Sequence, residues 1–341
     1  MSDVCQLVHC DPEVYMVVIP DERYRSGATN CFIVRDGGET LVADVGCMSE
    51  NGERLMRAAL REVGARPEAM SFFLTHLHLD HSGLLPAVAP EDARVHVGGA
   101  ELEAARAMRD PAVVDGLLAR LVSFGVDKEE TYEYLGFNLG IDDFDEGRYD
   151  ARRADGGDVV RVGDVAFEVV DTAGHAPGHR SLFHRESGLL IGGDQVLYTV
   201  SPYVSFYPGP RDRLALYLDR LHVVRDLGVN CLLQSHGRLR GLGGGDARAA
   251  FEGRVDWLLD HRARRLREYC ETIERMPGLT GLEVVLSSPS SAKLDDWDSI
   301  FMVQRWCVVA NGMAVLEHLV ATGQVEAAPG ADGVTRYVPA R

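Results

Sequence analysis

The sequence predicts an α/β fold with a helical insertion and a small helical C-terminal extension. Short apolar runs of strand length alternate with amphipathic helical segments. Residues of metal-ligand type stand just past the ends of four of those runs. The pattern switches to helices near 99–155 and again after 251. A chain of 341 residues, 46% apolar, has material for one large domain, placed at 1–250, and a smaller one at 251–341.

Val14 to Ile19 is an apolar run of strand length. Asn30 to Arg35 and Thr40 to Val45 follow, separated by Asp36-Gly37-Gly38, a hairpin signal. Leu55, Met56, Ala59, Leu60 and Val63 recur at helical spacing, and Gly64 supplies a C-cap. Met70 to Thr75 is a buried strand that runs into a histidine cluster. Glu101 to Met108 and Val113 to Phe124 have helical periodicity. An acidic, aromatic-dotted stretch follows, with eleven Asp/Glu against four Lys/Arg between Val126 and Asp158. Residues 99–155 therefore read as an insertion over one end of the core.

Strands resume at Val159 to Val162, Val165 to Asp171, Ser181 to His184 and Gly188 to Gly192. Arg211 to Leu227 is a helix, Cys231 to Gln234 a last short strand, and Glu252 to Ile273 a long amphipathic helix. In the tail, Phe301 to Val309 and Met313 to Ala321 read as two helices around Asn311-Gly312, followed by a hairpin over Gln324 to Pro339. Helix, helix, hairpin is the order of a winged-helix module.

Charge and composition exclude several classes. With 35 Lys+Arg against 52 Asp+Glu the formal net charge is −17, which disfavours nucleic acid and anionic lipid as partners. A DNA-binding wing should be basic, yet from Trp306 onward Arg336 and Arg341 face Glu317, Glu326 and Asp332. No apolar run reaches the ~18 residues of a membrane span. The start, MSDVCQLVHC, lacks the basic and apolar regions of a signal peptide. The seven cysteines are scattered without a CxxC pair, so they read as reduced thiols in a cytoplasmic protein.

One motif carries chemistry: Thr75-His76-Leu77-His78-Leu79-Asp80-His81-Ser82-Gly83. His76 and His78 project to one side of an extended segment, while Asp80 and His81 turn towards a second position. Imidazole nitrogen and carboxylate oxygen suit borderline divalent metals. Three further segments stand past strand ends and carry glycine: Gly174-His175-Ala176-Pro177-Gly178-His179, Gly192-Gly193-Asp194 and Ser235-His236-Gly237.

In this order and spacing the motifs resemble the metallo-β-lactamase superfamily, glyoxalase II-like in its core, from about Cys31 to His236. The resemblance implies a four-layer αββα sandwich with a dinuclear site at one edge of two sheets. It implies His76, His78 and His175 on one metal, Asp80, His81 and His236 on the other, and Asp194 bridging both. The implied cofactors are two divalent ions: zinc, with iron or manganese also fitting the donors. The implied nucleophile is a hydroxide held between them, with Asp80 orienting it and taking up a proton late. His179 is expected beside the site without ligating. Tyr198, four residues past Asp194, is a candidate hydrogen-bond donor to a developing oxyanion. The tail, from Ala310 to Leu319 and Gly323 to Val325, resembles the winged-helix extension of one branch of the superfamily.

The motifs do not separate the bonds that this superfamily breaks. Absence of a flavodoxin-like extension, of an export signal and of a basic surface leaves a cytoplasmic small-molecule hydrolase of an ester, thioester or lactone in front. Leu117, Leu118, Leu121, Phe124, Tyr132, Tyr134 and Phe137 of the insertion are expected to wall an acyl site over the metals. Arginines near the cleft would receive an anionic part of the substrate. The tail is expected to act as a lid or dimer element, with a homodimer as the assembly. A phosphodiesterase or nuclease, kept open by the tail and by Arg262, Arg264, Arg265 and Arg267, is the alternative enzyme. A metal-stabilised binding module is the alternative without catalysis.

Overall fold

Alternation of side chains along each strand decides the layers. The computed structural model of the chain describes residues 4–21, 27–138, 144–209, 211–240, 246–291 and 297–340, without the side chains of 135–138, 291 and 298. Strands β1 (Gln6–Cys10), β2 (Glu13–Pro20), β3 (Ala28–Asp36) and β4 (Glu39–Ala43) pair antiparallel in turn. Helix α1 (Glu50–Glu62) starts where the Ser49 side chain accepts from the Gly52 N–H. It leads to β5 (Met70–Leu74), to two short helices, α2 (Leu79–Ser82) and α3 (Leu85–Val88), and to β6 (Arg94–Val97). Then come α4 (Gly99–Met108), α5 (Pro111–Phe124), α6 (Lys128–Asn138) and β7 (Asp150–Arg153). The result is a seven-stranded sheet in chain order, β1 to β7, parallel from β4 onward.

The second sheet contains β8 (Val159–Val162), β9 (Val165–Asp171), β10 (Arg180–His184), β11 (Leu189–Gly193) and β12 (Cys231–Gln234). Helix α7 (Arg213–Arg225) carries the chain from β11 to its parallel neighbour β12, and the order is β12-β11-β10-β9-β8. Phe32, Leu41, Phe73, Phe167, Leu182, Ile191 and Leu233 form the core between the two sheets. Their strand neighbours Ile33, Val42, Phe72, Phe183, Leu190 and Leu232 point the other way, into the cluster under the helices. The period of two thus builds helix, sheet, sheet and helix layers in one chain.

Helix α8 (Ala247–Arg275) opens the C-terminal part. It is followed by β13 (Leu279–Thr280), α9 (Gly281–Ser287), α10 (Met302–Ala321), β14 (Val325–Pro329) and β15 (Thr335–Pro339). The last three strands make a small antiparallel sheet, β13-β15-β14.

Three expectations need correction. The tail has one 20-residue helix, α10, where two were expected around Asn311-Gly312. Asn311 instead accepts a hydrogen bond from Arg262 Nη1, and Gly312 lets α9 approach: a Cβ there would lie 2.3 Å from Val285 Cγ2. The helix before α10 is α9, announced by a capping box, Thr280 with Glu283, that periodicity alone does not reveal. Second, the acidic stretch after Phe124 begins with a further helix, α6. Third, the excursion does not run to 155, because β7 belongs to the first sheet. Strands β6 and β7 have four residues each, with Arg94, Arg152 and Arg153 among them, so only pairing in turn, β6 on β5 and β7 on β6, reveals them.

Candidate metal centre

Every ligand-type residue leaves the C-terminal end of a strand. Strand β5 delivers His76 to His81, β9 delivers His175, β11 delivers Asp194 and β12 delivers His236. The strand ends meet at one edge of the sandwich, where all seven side chains are buried.

They form two overlapping groups. In the first, His78 Nδ1 lies 2.8 Å from His76 Nε2 and 3.2 Å from His175 Nε2. In the second, Asp80 Oδ2 lies 3.4 Å from His236 Nε2 and 3.8 Å from His81 Nε2. Asp194 sits between them, with Oδ2 3.6 Å from His175 Nε2 and 3.7 Å from His81 Nε2, and Oδ1 3.4 Å from His236 Nε2. Within each of the triads His76/His78/His175, His76/His81/Asp194 and Asp80/His81/His236 the donor atoms lie within 4.8 Å of one another.

The far nitrogen of each imidazole is held by the protein. His81 Nδ1 meets Asp44 Oδ2 at 2.8 Å, His175 Nδ1 the Tyr203 carbonyl at 2.7 Å, and His236 Nδ1 the Ala28 carbonyl at 2.9 Å. His76 Nδ1 meets Thr75 Oγ1 and His78 Nε2 meets Ser205 Oγ, both at 3.1 Å. These contacts fix ring orientation and leave the inner nitrogens free to donate lone pairs. Two inner atoms, His81 Nε2 and Asp194 Oδ1, are buried without a hydrogen-bond partner. Three imidazole nitrogens crowded on one point and orphaned atoms at the next are the donor set that cations complete, so the residues fit two divalent ions.

The electrostatics differ between the groups. Burial lowers the pKa of His76 and His175 and takes His78 down to about 3, so these rings are neutral. Burial also opposes charge on His81, but Asp80, Asp44 and Asp194 outweigh it and raise that ring to about 10. Burial would raise Asp80 and Asp194, yet the His81 and His236 rings hold both below the usual carboxylate range.

His179 belongs to none of the three donor groups. Its Nε2 accepts from the Asp194 N–H at 3.0 Å and its Nδ1 meets Thr172 Oγ1 at 2.7 Å. Gly193 (φ +54) makes room, since a Cβ there would lie 2.5 Å from His179 Nε2. Tyr198 is not among the residues that line the cleft. Its ring packs on the helix-side core with Arg240 over it.

None of the insertion's described residues lines the cleft. Leu117, Leu121, Phe124 and Tyr134 are buried in the core, with Tyr134 against Trp306 of α10, and Tyr132 is exposed. Phe137 lies outside the described side chains. A cleft of about 700 Å³ over the metal ligands is lined instead by Leu197 to Tyr203 without Tyr198, and by Val303, Cys307 and Val308 of α10. The Tyr203 ring stacks on His78, with centroids 6.0 Å apart and planes 3° off parallel.

Two supporting carboxylates lie outside the motifs. Asp44 follows β4, has φ 56°, and accepts from both Thr75 N–H and Thr75 Oγ1 as well as facing His81. It carries a sequence signal: an acidic residue past an apolar strand and two before Gly46 repeats the pattern of the other strand ends. Glu101, fully buried, accepts from the Leu77 N–H at 3.2 Å and the Gly178 N–H at 2.7 Å, tying the two histidine loops together. Burial raises its carboxyl to about 7 against those two hydrogen bonds.

The family model of the metallo-beta-lactamase superfamily matches residues 24–236, more than half of the chain. The chain belongs to the metallo-β-lactamase superfamily. It is similar in fold to a metallo-beta-lactamase family protein of Thermus thermophilus (TM-score 0.72, 23% identity, 96% of this chain and 98% of that one). It is also similar to a beta-lactamase domain protein of Burkholderia ambifaria (TM-score 0.77, 24% identity, 100% and 96%). Both alignments take in the C-terminal elements. An uncharacterized protein of Aquifex aeolicus is 53% identical over 38 residues, 11% of this chain, which spans 18% of that relative's length. Superfamily membership comes here with a His/Asp centre of the kind that suits a metallohydrolase. No described helix is long and apolar enough to cross a membrane.

Proposed function

We propose that the protein hydrolyses the ester bond of a small molecule, a thioester or lactone. The observation that carries this reading is the cleft itself: about 700 Å³, apolar along Leu197, Val200, Val303 and Val308, and open onto the metal ligands. That volume accommodates an acyl chain.

Two divalent ions on these donors, zinc or alternatively iron or manganese, supply Lewis acidity and a water-derived nucleophile at neutral pH. His76, His78 and His175 would hold the first and Asp80, His81 and His236 the second, with Asp194 placed between the two groups. Asp80 stays ionised beside His81 and His236, so it orients an attacking water by accepting its hydrogen bond and takes a proton only transiently. The apolar wall excludes bulk water, which strengthens each electrostatic contact within. We read the C-terminal order of helix, short strand, two helices and hairpin as a winged-helix-like wall of the substrate site rather than a DNA reader. The seven thiols, all free, fit a reducing cytoplasm.

The test is a panel of a thioester, a lactone and a phosphodiester given to the metal-loaded protein, with His78→Ala as the blank. Metal-dependent turnover of the thioester or lactone is expected. Cleavage of the phosphodiester alone would replace this reading with the nuclease one.

A further inference from the structure

A second cavity, of about 270 Å³, opens beside the metal cleft and shares Ser201, Pro202, Tyr203, Cys307 and Val308 with it. Tyr203 stands at the junction, stacked on the metal-ligand candidate His78. The second cavity differs sharply in charge. Besides Tyr203, its titratable lining is His261, Arg262 and Arg265 of α8 with Cys307, and no Asp or Glu is among its described lining residues. Such a site stands apart in a chain of net charge −17.

The partners of these arginines are the second observation. Four arginines are buried among the described residues: Arg180, Arg213, Arg262 and Arg305. Arg180 pairs with Asp155 and Asp171, Arg213 with Glu317, and Arg305 with Glu130. Arg262 meets only neutral groups: Nη1 donates to Asn311 Oδ1 at 2.6 Å, Nη2 to the Pro202 carbonyl, and the guanidinium lies over the Tyr217 ring, 5.2 Å from its centroid. Arg265 donates to Tyr269 Oη at 3.2 Å and has no carboxylate partner among the described residues. His261 stacks on Trp257, and burial together with Arg262, Arg265 and Arg264 lowers it to about 4, so the ring is a neutral hydrogen-bonding group. Sequestering positive charge without a counter-charge is costly, and folded chains offset that cost with an anion.

We propose that this cavity is a subsite for an anionic group, carboxylate or phosphate, at the end of the substrate remote from the scissile bond. Building on the ester-hydrolase reading, the substrate is then an acyl compound with three parts. The carbonyl lies at the metal ligands, an apolar segment runs along α10, and an anionic terminus reaches Arg265. Arg262 fixes the Pro202 and Asn311 walls and lends its charge, while Arg265 offers the guanidinium that docks the anion.

The experiment uses thioesters of matched length ending in a carboxylate, a phosphate or a neutral methyl ester, with native protein and Arg265→Gln. The native protein is expected to prefer one anionic substrate over the neutral one by about tenfold or more in kcat/KM, through KM. Arg265→Gln is expected to collapse that ratio towards one, and Arg265→Lys to restore part of it. Whichever anion gains more identifies the terminus. An anionic-to-neutral ratio that Arg265→Gln leaves intact would overturn the subsite. If the native protein turns over none of the three, the ester-hydrolase reading fails by itself. The subsite is then decided by thermal melting of the metal-free protein with inorganic phosphate or succinate. A melting rise lost in Arg265→Gln upholds it, and equal behaviour of the two proteins overturns it.

Discussion

The cleft has two walls of opposite construction. One is a rim of strand ends, polar and buried, where short-range hydrogen bonds from Asp44, Thr75, Ser205 and two carbonyls aim each imidazole. The other is α10, an apolar helix that follows the last of those strand ends by more than sixty residues. Its position depends on distant packing: Gly312 against Val285, Trp306 against Tyr134 and Phe206, and Arg305 against Glu130. The difference teaches that chemistry and selectivity are separately encoded here. Damage to the first wall should abolish the reaction in a folded protein. Damage to the second should change which substrate binds while the metals stay.

The largest effect is expected at the residue shared by both metal groups. Asp194→Ala should lower turnover by at least about a thousandfold and lower the metal content measured by atomic emission, with the far-ultraviolet circular dichroism unchanged. Two ions retained by that variant would break the proposed bridging role. On the helix wall, Gly312→Ala should cost about 1–3 kcal/mol by overpacking against Val285. Calorimetry should show this as a lower melting temperature, with metal content preserved.

Glu101 joins the loops of the polar wall, and its pH dependence has a definite sign. Its carboxyl is raised from 4.5 to about 7 in the fold. Between those values the folded chain binds a proton that the unfolded chain has released. This contribution to stability is therefore greatest below pH 4.5 and declines as pH rises towards 7. Urea midpoints for Glu101→Gln should show a shallower pH dependence over that window and lower stability at its acid end. A slope equal to that of the native protein would remove Glu101 as its source.

The smallest effect is expected at Tyr198. Since its ring packs away from the cleft lining, Tyr198→Phe should change kcat by less than about twofold, the behaviour of a side chain remote from the reacting atoms. A hundredfold loss would return it to the oxyanion role.

The unequal legibility of the two walls follows from the same distinction. The metal ligands can be read because each lies within a few residues of its own apolar strand, and period-two patterning marks those strands. Asp44 shares that signal, an acidic residue just past an apolar strand, but its role appears only when the fold brings it against Thr75 and His81. The insertion misleads because amphipathicity says that a face is buried without saying against what: Phe124 and Tyr134 satisfy theirs on α9 and α10. Strands β6 and β7 are invisible for a related reason, as four-residue segments containing arginine become strands only once a neighbour offers an edge, β5 for β6 and β6 for β7. At Asn311-Gly312 local propensity is overruled by the Arg262 hydrogen bond and the close approach of α9.

One consequence of the late position of α10 concerns the birth of the molecule. The last candidate metal ligand is residue 236, whereas α10, which carries one side of the cleft, ends at Ala321, 85 residues later. At about 5–20 residues per second, a ribosome needs roughly 4–17 seconds to cross that interval. During it the strand-end rim is already synthesised while the α10 side of the cleft is still missing. On the proposed reading, the nascent chain would offer its metal donors before it could select a substrate.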